Sequence, residues 1–375
     1  MSELQHTAKQ LRVVAVEAIP IQLSLSQPNN TAMGVVTETT KVIVKITTDT
    51  GISGFGEAST FPAYGGGTAD AVMSAVAACS PYLRGANPLN YIQISAVLGE
   101  IIAREQLALA AIDVALQDIA GKSLGQPIYE LYGNKVRESV EVFLIVSGED
   151  PAEVAENARQ AKADGFEVVK VKAGFETIEM TIAKIEAIRR EVGLGLDITV
   201  DANQAWQVDE AIANIKLLEP LSIQSIEQPV LAKDIQGMAD VTNATGVQII
   251  ADESVWDMED ALQVIKIRGA DVLSIRVSKA GGIYNARLIL KMARDAGIPC
   301  ILGSMLETDL GISAALQLAG SVDCKLYASA LSHYLMYEAS LLEKPLRRKG
   351  STLHIPNEPG LGVTVCEEKI DLHRC

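Results

Sequence analysis

Five short apolar runs, each followed by a charged residue, recur at nearly constant spacing through the middle of the chain. They are Val168-Val-Lys170-Val-Lys172, Ile198-Thr-Val-Asp201, Ile223-Gln-Ser-Ile-Glu227, Gln248-Ile-Ile-Ala-Asp252, and Val272-Leu-Ser-Ile-Arg-Val277 with Lys279 just beyond. The steps from Lys172 to Asp201, Glu227, Asp252 and Lys279 are 29, 26, 25 and 27 residues. Amphipathic stretches of helical length lie between. One strand, one helix and two loops fill such a period, so the chain reads as consecutive β-α units. Parallel strands share a direction, and their C-terminal ends meet on one face. Lys170, Lys172, Asp201, Glu227, Asp252 and Lys279 therefore converge at one mouth. That is a site for a divalent cation and for acid/base chemistry by amines.

The chain has 375 residues, room for a barrel of about 250 residues and a smaller second domain. Hydrophobic residues make up 48% and charged residues 21%, a globular balance. No apolar run reaches the roughly 18–20 residues that span a bilayer, and Met1–Lys9 carries no signal-peptide core. Cys79, Cys300, Cys324, Cys366 and Cys375 are scattered. This argues against a disulfide frame and fits a reducing cytoplasm. The net charge of −15 with no basic tract excludes nucleic acid as an expected partner. An anionic substrate needs local positive charge, from a metal and the site lysines. The expected partners are a small carboxylate and further copies of the chain, from dimer to octamer, without a membrane.

Arg12–Leu23, Lys41–Thr48 and Ile52–Glu57 read as strands of an antiparallel meander, with residues 1–10 as a frayed tail. Ser24–Thr39 is polar, carries Pro28 and Gly34, and reads as a long lid loop. Ser59–Thr68, with Pro62, Tyr64 and three glycines, reads as a second mobile loop. Ala69–Leu83 and Arg104–Leu124 read as helices, and Gly125–Gly133 closes this α+β domain, taken as 1–135. Val140–Val146 reads as the first barrel strand, and Asp150-Pro151 as a helix start. Further helices are expected near Glu176–Val192, Val208–Leu218, Asp234–Thr245, Met258–Gly269, Tyr284–Ala296 and Leu310–Leu318. The sixth strand should end near Val277, the seventh is Cys300–Ser304 and the eighth Leu326–Ala330, a barrel over 136–345. Thr352–Ile355 and Gly360–Val365 look strand-like, and 346–375 should pack back on the first domain.

One acid at a strand end reads as a helix cap or a rim ion pair. Three at matched strand ends repel without a counter-ion. Oxygen-only ligands suit Mg²⁺, with Mn²⁺ as a substitute, so Asp201, Glu227 and Asp252 are the expected metal ligands. Lys170 and Lys172 lie two apart on one strand and point to one face. Crowding of ammonium groups favours the neutral amine, so one can act as a base. Lys279 sits across the mouth. Such a pair can remove a proton α to a carboxylate on one face and return one on the other. The bland alternative is that the lysines merely neutralise the acids. Trp206 reads equally as pocket lining or rim cover. Candidate substrate contacts are Asn203, Glu253, Ser304, Glu307 and Tyr64.

Lys170-Val-Lys172, Asp201-Ala-Asn203, Glu227-Gln-Pro229, Ala251-Asp252-Glu253-Ser254, Ser278-Lys279-Ala-Gly-Gly282 and Met305-Leu-Glu307 together resemble the enolase superfamily, and more narrowly its muconate-lactonizing branch. Enolase-type sites use Lys or His bases together with Mg²⁺. The resemblance extends to Leu353-His-Ile-Pro and Pro359-Gly-Leu-Gly-Val363. It implies an α/β fold, a modified TIM barrel (β/α)₇β, under an N-terminal α+β capping domain completed by the C-terminal segment. It implies Mg²⁺ on Asp201, Glu227 and Asp252. It also implies Lys172 and Lys279 as the acid/base pair, with Lys170 tuning Lys172, and lid loops that set specificity. A muconate-cycloisomerase-like isomerase is expected. A racemase or epimerase of an amino-acid derivative is the second expectation, and dehydration of a hydroxy acid the third. A non-catalytic binding barrel is disfavoured because every metal and lysine position is filled. Two departures stand out. No histidine occupies the sixth or seventh strand end, which excludes the mandelate racemase branch. The eighth-strand segment Tyr327-Ala-Ser-Ala-Leu-Ser-His333 lacks the acid that lactonizing enzymes and dipeptide epimerases carry there, and the first lid loop has no Lys or Arg.

Overall fold

A computed structural model describes residues 11–31, 34–62 and 66–375. The tail expected over residues 1–10 and the loop residue Tyr64 lie outside the described residues. The chain opens with three antiparallel strands, β1 Val13–Thr31, β2 Gly34–Thr48 and β3 Ser53–Ser59. Alternation gives this sheet two apolar faces. Val42, Val44, Ile46 and Ala58 pack on the helices of the cap, whereas Ile21, Leu23, Ile43 and Phe55 face the barrel core. Helix Gln106–Leu124 lies so close to β3 that a Cβ on Gly54 or Gly56 would fall 2.1 Å from the Ala115 carbonyl oxygen or 1.9 Å from that of Ala111. The glycines permit that approach.

The expected long loop at Ser24–Thr39 is a β-ribbon instead. β1 continues to Thr31, β2 begins at Gly34, and the two pair with a register shift between Ser24 and Asn29. Pro28 falls within that shift, where its missing N–H costs no ladder bond. Helix Ala69–Leu83 matches expectation, but Tyr91–Ile101 is a further helix that the sequence reading left out.

Seven parallel strands form the barrel sheet in order β11-β10-β9-β8-β7-β6-β5. They are β5 Leu144–Val146, β6 Val168–Lys172, β7 Asp197–Asp201, β8 Ser225–Glu227, β9 Gln248–Ala251, β10 Val272–Ile275 and β11 Cys300–Leu302. Leu326–Ala330 closes the gap through bridges to both edges: Tyr327 N–H donates to Cys300 O at 2.9 Å and Phe143 N–H to Ser329 O at 3.1 Å. The expected first strand, Val140–Val146, is divided. Its first part, β4 Ser139–Glu141, pairs with β13 Thr352–His354 in a small antiparallel sheet, and only β5 joins the barrel. Gly360–Val365 makes isolated bridges rather than a strand. The C-terminus reaches the cap: Cys375 N–H donates to Pro20 O, and Lys45 pairs with Glu367.

The strand pleat decides what enters the barrel. Val169 and Val171 pack outward under the helices, while Val168 belongs to the interior cluster with Phe143, Ile250, Val272 and Ile301. Lys170 and Lys172 share the parity of Val168 and point inward. The same alternation turns Asp252 inward with Ile250.

Candidate active site

Asp201 and Glu227 are register partners on β7 and β8, and Asp252 follows β9 directly. All three carboxylates are buried. Lys170 Nζ lies 2.7 Å from Glu227 Oε2 and 3.4 Å from Asp201 Oδ2, and 4.6 Å above the Phe143 ring. Lys172 Nζ donates to Asp201 Oδ2 at 2.7 Å and to Asn203 Oδ1 at 2.8 Å. Asn203 in turn donates to Glu253 Oε1 at 3.0 Å. The mouth thus runs continuously from Lys172 to the acid beside Asp252.

Lys279 lies beyond the strand end, on a helical turn. The sixth strand stops at Ile275, and Lys279 lies on the short helix Val277–Ala280. Its Nζ is 2.8 Å from Asp252 Oδ1 and also bonds the Asp252 carbonyl. That turn is held from above. Asp113 of the cap helix accepts the Ile283 N–H at 2.8 Å, and a Cβ on Gly282 (φ +124°) would meet its carboxylate at 2.3 Å. Three residues earlier, Arg276 makes an ion pair with Asp252 Oδ2 and approaches Met305 Sδ. The sequence reading missed Arg276. Its signal is present in Ile275-Arg-Val-Ser-Lys279, where it reads as part of the strand.

Ser304 and Glu307 meet each other: Ser304 Oγ and the Met305 N–H both donate to Glu307 Oε2, and Ser278 Oγ donates to Glu307 Oε1 at 2.9 Å. Glu307 therefore braces the residue before Lys279. Glu253 Oε2 is buried and has no hydrogen-bond partner among the described residues. Trp256, rather than Trp206, lies near the amine, its ring 5.8 Å from Lys279 Nζ. Asn203, Gln204, Gln228 and Leu306 hold positive φ angles of 45°, 69°, 39° and 60° just past the strand ends. Strain of this kind concentrates where side chains must be aimed.

The electrostatics follow burial and pairing. Burial alone would raise Asp201, but Lys172 and then Lys170 outweigh it and hold its carboxyl at about 2. Burial raises Glu253, and Asp201 adds to the rise. Burial first, then the Arg276 guanidinium, pushes the Lys279 amine well below its usual range.

Three buried carboxylates on neighbouring strand ends are an all-oxygen donor set of the type Mg²⁺ takes. The conformers, however, are not a chelate. Among the described residues no three His, Cys, Asp or Glu side chains stand close enough together to hold one ion. Each acid instead turns to a cation, Asp201 to Lys172, Glu227 to Lys170 and Asp252 to Arg276 and Lys279, because an anion in a dry interior is held most strongly by an adjacent charge. Donor type and strand position suit such an ion, while the observed side-chain orientations pair each acid with a cation.

A capped barrel with amines on opposite sides of strand-end carboxylates defines a class of enzyme. Residues 13–133 match the N-terminal domain model of mandelate racemase / muconate lactonizing enzyme, and 153–369 match the enolase C-terminal domain-like model. The chain belongs to the mandelate racemase/muconate lactonizing enzyme family of the enolase superfamily and is an isomerase of that superfamily. It is 35% identical to the L-Ala-D/L-Glu epimerase of Bacillus subtilis, over 94% of this chain and 97% of that one. The muconate lactonizing enzyme of Pseudomonas fluorescens, complexed with muconolactone, superposes with a TM-score of 0.94 at 28% identity, covering 98% of this chain and 100% of that one. The dipeptide epimerase of Cytophaga hutchinsonii, complexed with Mg and D-Ala-L-Val, gives 0.90 at 30% identity, covering 96% and 98%. Among the described residues no helix is long and apolar enough to cross a membrane.

Proposed function

We propose that the protein moves a proton on the carbon α to a carboxylate, racemising or epimerising an acid whose distal end is uncharged. One observation carries this reading: Lys172 and Lys279 lie on different elements, each tethered to a different strand-end carboxylate, Asp201 and Asp252. Two amines on opposite sides of a bound acid can take the α-proton from one face and return it to the other. Asp201, Glu227 and Asp252 would hold Mg²⁺, which supplies charge stabilisation for the substrate carboxylate. Lys170, set between Asp201 and Glu227 and two residues from Lys172 on the same strand face, is the group placed to tune that base. Asn203 orients Lys172, and Ser304 and Glu307 brace the turn that carries Lys279. A small carboxylate substrate, a cytoplasmic setting and a homo-oligomer belong to the same reading.

The likeness to the muconolactone-bound enzyme favours a second reading, cycloisomerisation through the same proton abstraction. The eighth-strand segment carries no acid, and the described side chains of the ribbon tip present no Lys or Arg, which weighs toward an uncharged distal group. The test is α-proton exchange in deuterium oxide, followed by NMR, on N-acyl amino acids, dipeptides and betaines, beside ultraviolet assay of cis,cis-muconate. Exchange with inversion supports racemisation. Fast lactonization would move the assignment to cycloisomerisation, and neither would remove it.

A further inference from the structure

Where the eighth-strand segment reaches the mouth, the chain carries a histidine, and that region is tightly fixed. Ala330 N–H donates to Leu302 O at 2.8 Å, and Ser332 Oγ donates to Phe143 O at 2.6 Å. Phe143 is the residue whose ring lies under Lys170. His333 opens the short helix His333–Met336 immediately afterwards and is 9% exposed. Its Nδ1 lies 2.7 Å from the Ala330 carbonyl oxygen. A carbonyl only accepts, so Nδ1 carries the proton and Nε2 is left with the lone pair. Among the described residues Nε2 has no hydrogen-bond partner.

We infer that His333 is a specificity-determining residue whose neutral imidazole accepts a hydrogen bond, through Nε2, from an uncharged N–H or O–H donor on the substrate. This rests on the proton-transfer reading above and names its substrate class. Charge at the mouth selects against the alternatives. Lys170, Lys172 and Arg276 all act on the ring to disfavour its charged form. Leu326–Met336 contains no Asp or Glu, so a substrate ammonium beside the ring would find no carboxylate on this segment. A substrate carboxylate would meet a lone pair. An amide N–H or a hydroxyl satisfies the nitrogen without either cost. Burial, reinforced by those cations, holds the imidazole down at about 3, so it stays neutral through the physiological range.

The test compares matched acids bound to the full-length protein in Mg²⁺ buffer by calorimetry. One arm pairs N-acetyl amino acids with their ester analogues, in which oxygen replaces the N–H. A second pairs 3-hydroxy acids with their deoxy forms, and a third uses dipeptides with a free ammonium. The donor of one of the first two pairs should bind about tenfold tighter than its partner. The preference should vanish in His333→Phe and persist in His333→Gln, whose amide oxygen can still accept. Equal binding within both pairs, no binding in any arm, tighter binding of the ammonium dipeptides, or unchanged discrimination in His333→Phe would each overturn the inference. If His333→Phe fails to fold, ¹⁵N NMR of the wild-type ring decides: a proton on Nε2 overturns it and a proton on Nδ1 supports it. Proton exchange on the same acids separates the two claims. Exchange without discrimination keeps the function and removes this role for His333, and discrimination without exchange does the reverse.

Discussion

The molecule buries charge in two places and pairs it differently. At the barrel mouth every lysine touches a carboxylate: Lys170 meets Glu227, Lys172 meets Asp201 and Lys279 meets Asp252. In the seam between cap and barrel, Lys41 is fully enclosed, and its Nζ has no hydrogen-bond partner among the described residues. Its neighbour Glu57 instead accepts from Thr308 N–H at 2.9 Å, from Thr308 Oγ and from Gly311 N–H at 3.0 Å. The consequences diverge. Contact with two ammonium groups keeps Asp201 ionised down to about 2. In the seam, burial dominates over the Lys41–Glu57 attraction, lowering Lys41 to about 8 and raising Glu57 to about 7. Contact with two cations preserves the charge of Asp201, whereas burial drives Lys41, Glu57 and, despite its contact with Asp252, Lys279 toward neutrality. Glu307 links the two regions, bonded to Ser278 beside Lys279 and acting electrostatically on Lys41.

The sharpest way to break this contrast is at the mouth. Lys172→Ala and Lys279→Ala should each lower α-proton exchange by about 10²–10⁴-fold or more. In deuterium oxide each variant should lose exchange from one stereoface, with the melting temperature little changed. Near-normal exchange in Lys279→Ala would reduce it to a bystander cation. Exhaustive chelation should abolish turnover, and Mg²⁺ or Mn²⁺ should restore it. Isothermal titration should then show much weaker Mg²⁺ binding in Asp252→Asn, and unchanged affinity would remove Asp252 from the ligand set.

The seam should show itself in the pH dependence of stability. A carboxyl raised from 4.5 to about 7 binds its proton more tightly in the folded protein. Its contribution is therefore full below about pH 4.5 and lost as pH climbs to about 7. An amine lowered from 10.5 to about 8 contributes above about pH 10.5 and loses that as pH falls to about 8. Denaturant melts should show the first trend vanish in Glu57→Gln and the second in Lys41→Met, each by on the order of 1–3 kcal/mol. A flat wild-type profile in both windows would contradict the seam's described electrostatics. The smallest effect belongs to an exposed pair. Lys45 and Glu367 lie 2.6 Å apart with side chains 19% and 54% exposed. Lys45→Ala should cost about 0–1 kcal/mol, and only at low salt.

Much of this was legible before any coordinates. A repeat of one strand and one helix forces a parallel sheet, and a parallel sheet brings every strand end to one side. Position along the repeat is thus position at the mouth, which is why Lys170, Lys172, Asp201, Glu227 and Asp252 could be placed from spacing alone. Period-two alternation likewise turned both lysines inward. The place of Lys279 just beyond the sixth strand is legible, but the helical turn that carries it is not, since a single turn after a strand has no periodicity of its own. Three things belonged to the tertiary structure. The partner of each carboxylate depends on side-chain rotation among several cations within reach, and Arg276 competes for Asp252 from outside the expected set. The ribbon at Ser24–Thr39 exists because two polar segments pair with each other, and pairing leaves no local signal when Pro, Asn and Gly suggest a loop. His333 and Lys41 matter through neighbours far along the chain, Lys170 for the first and Glu307 for the second. Burial, unlike spacing, is a property of what the rest of the chain places around a residue.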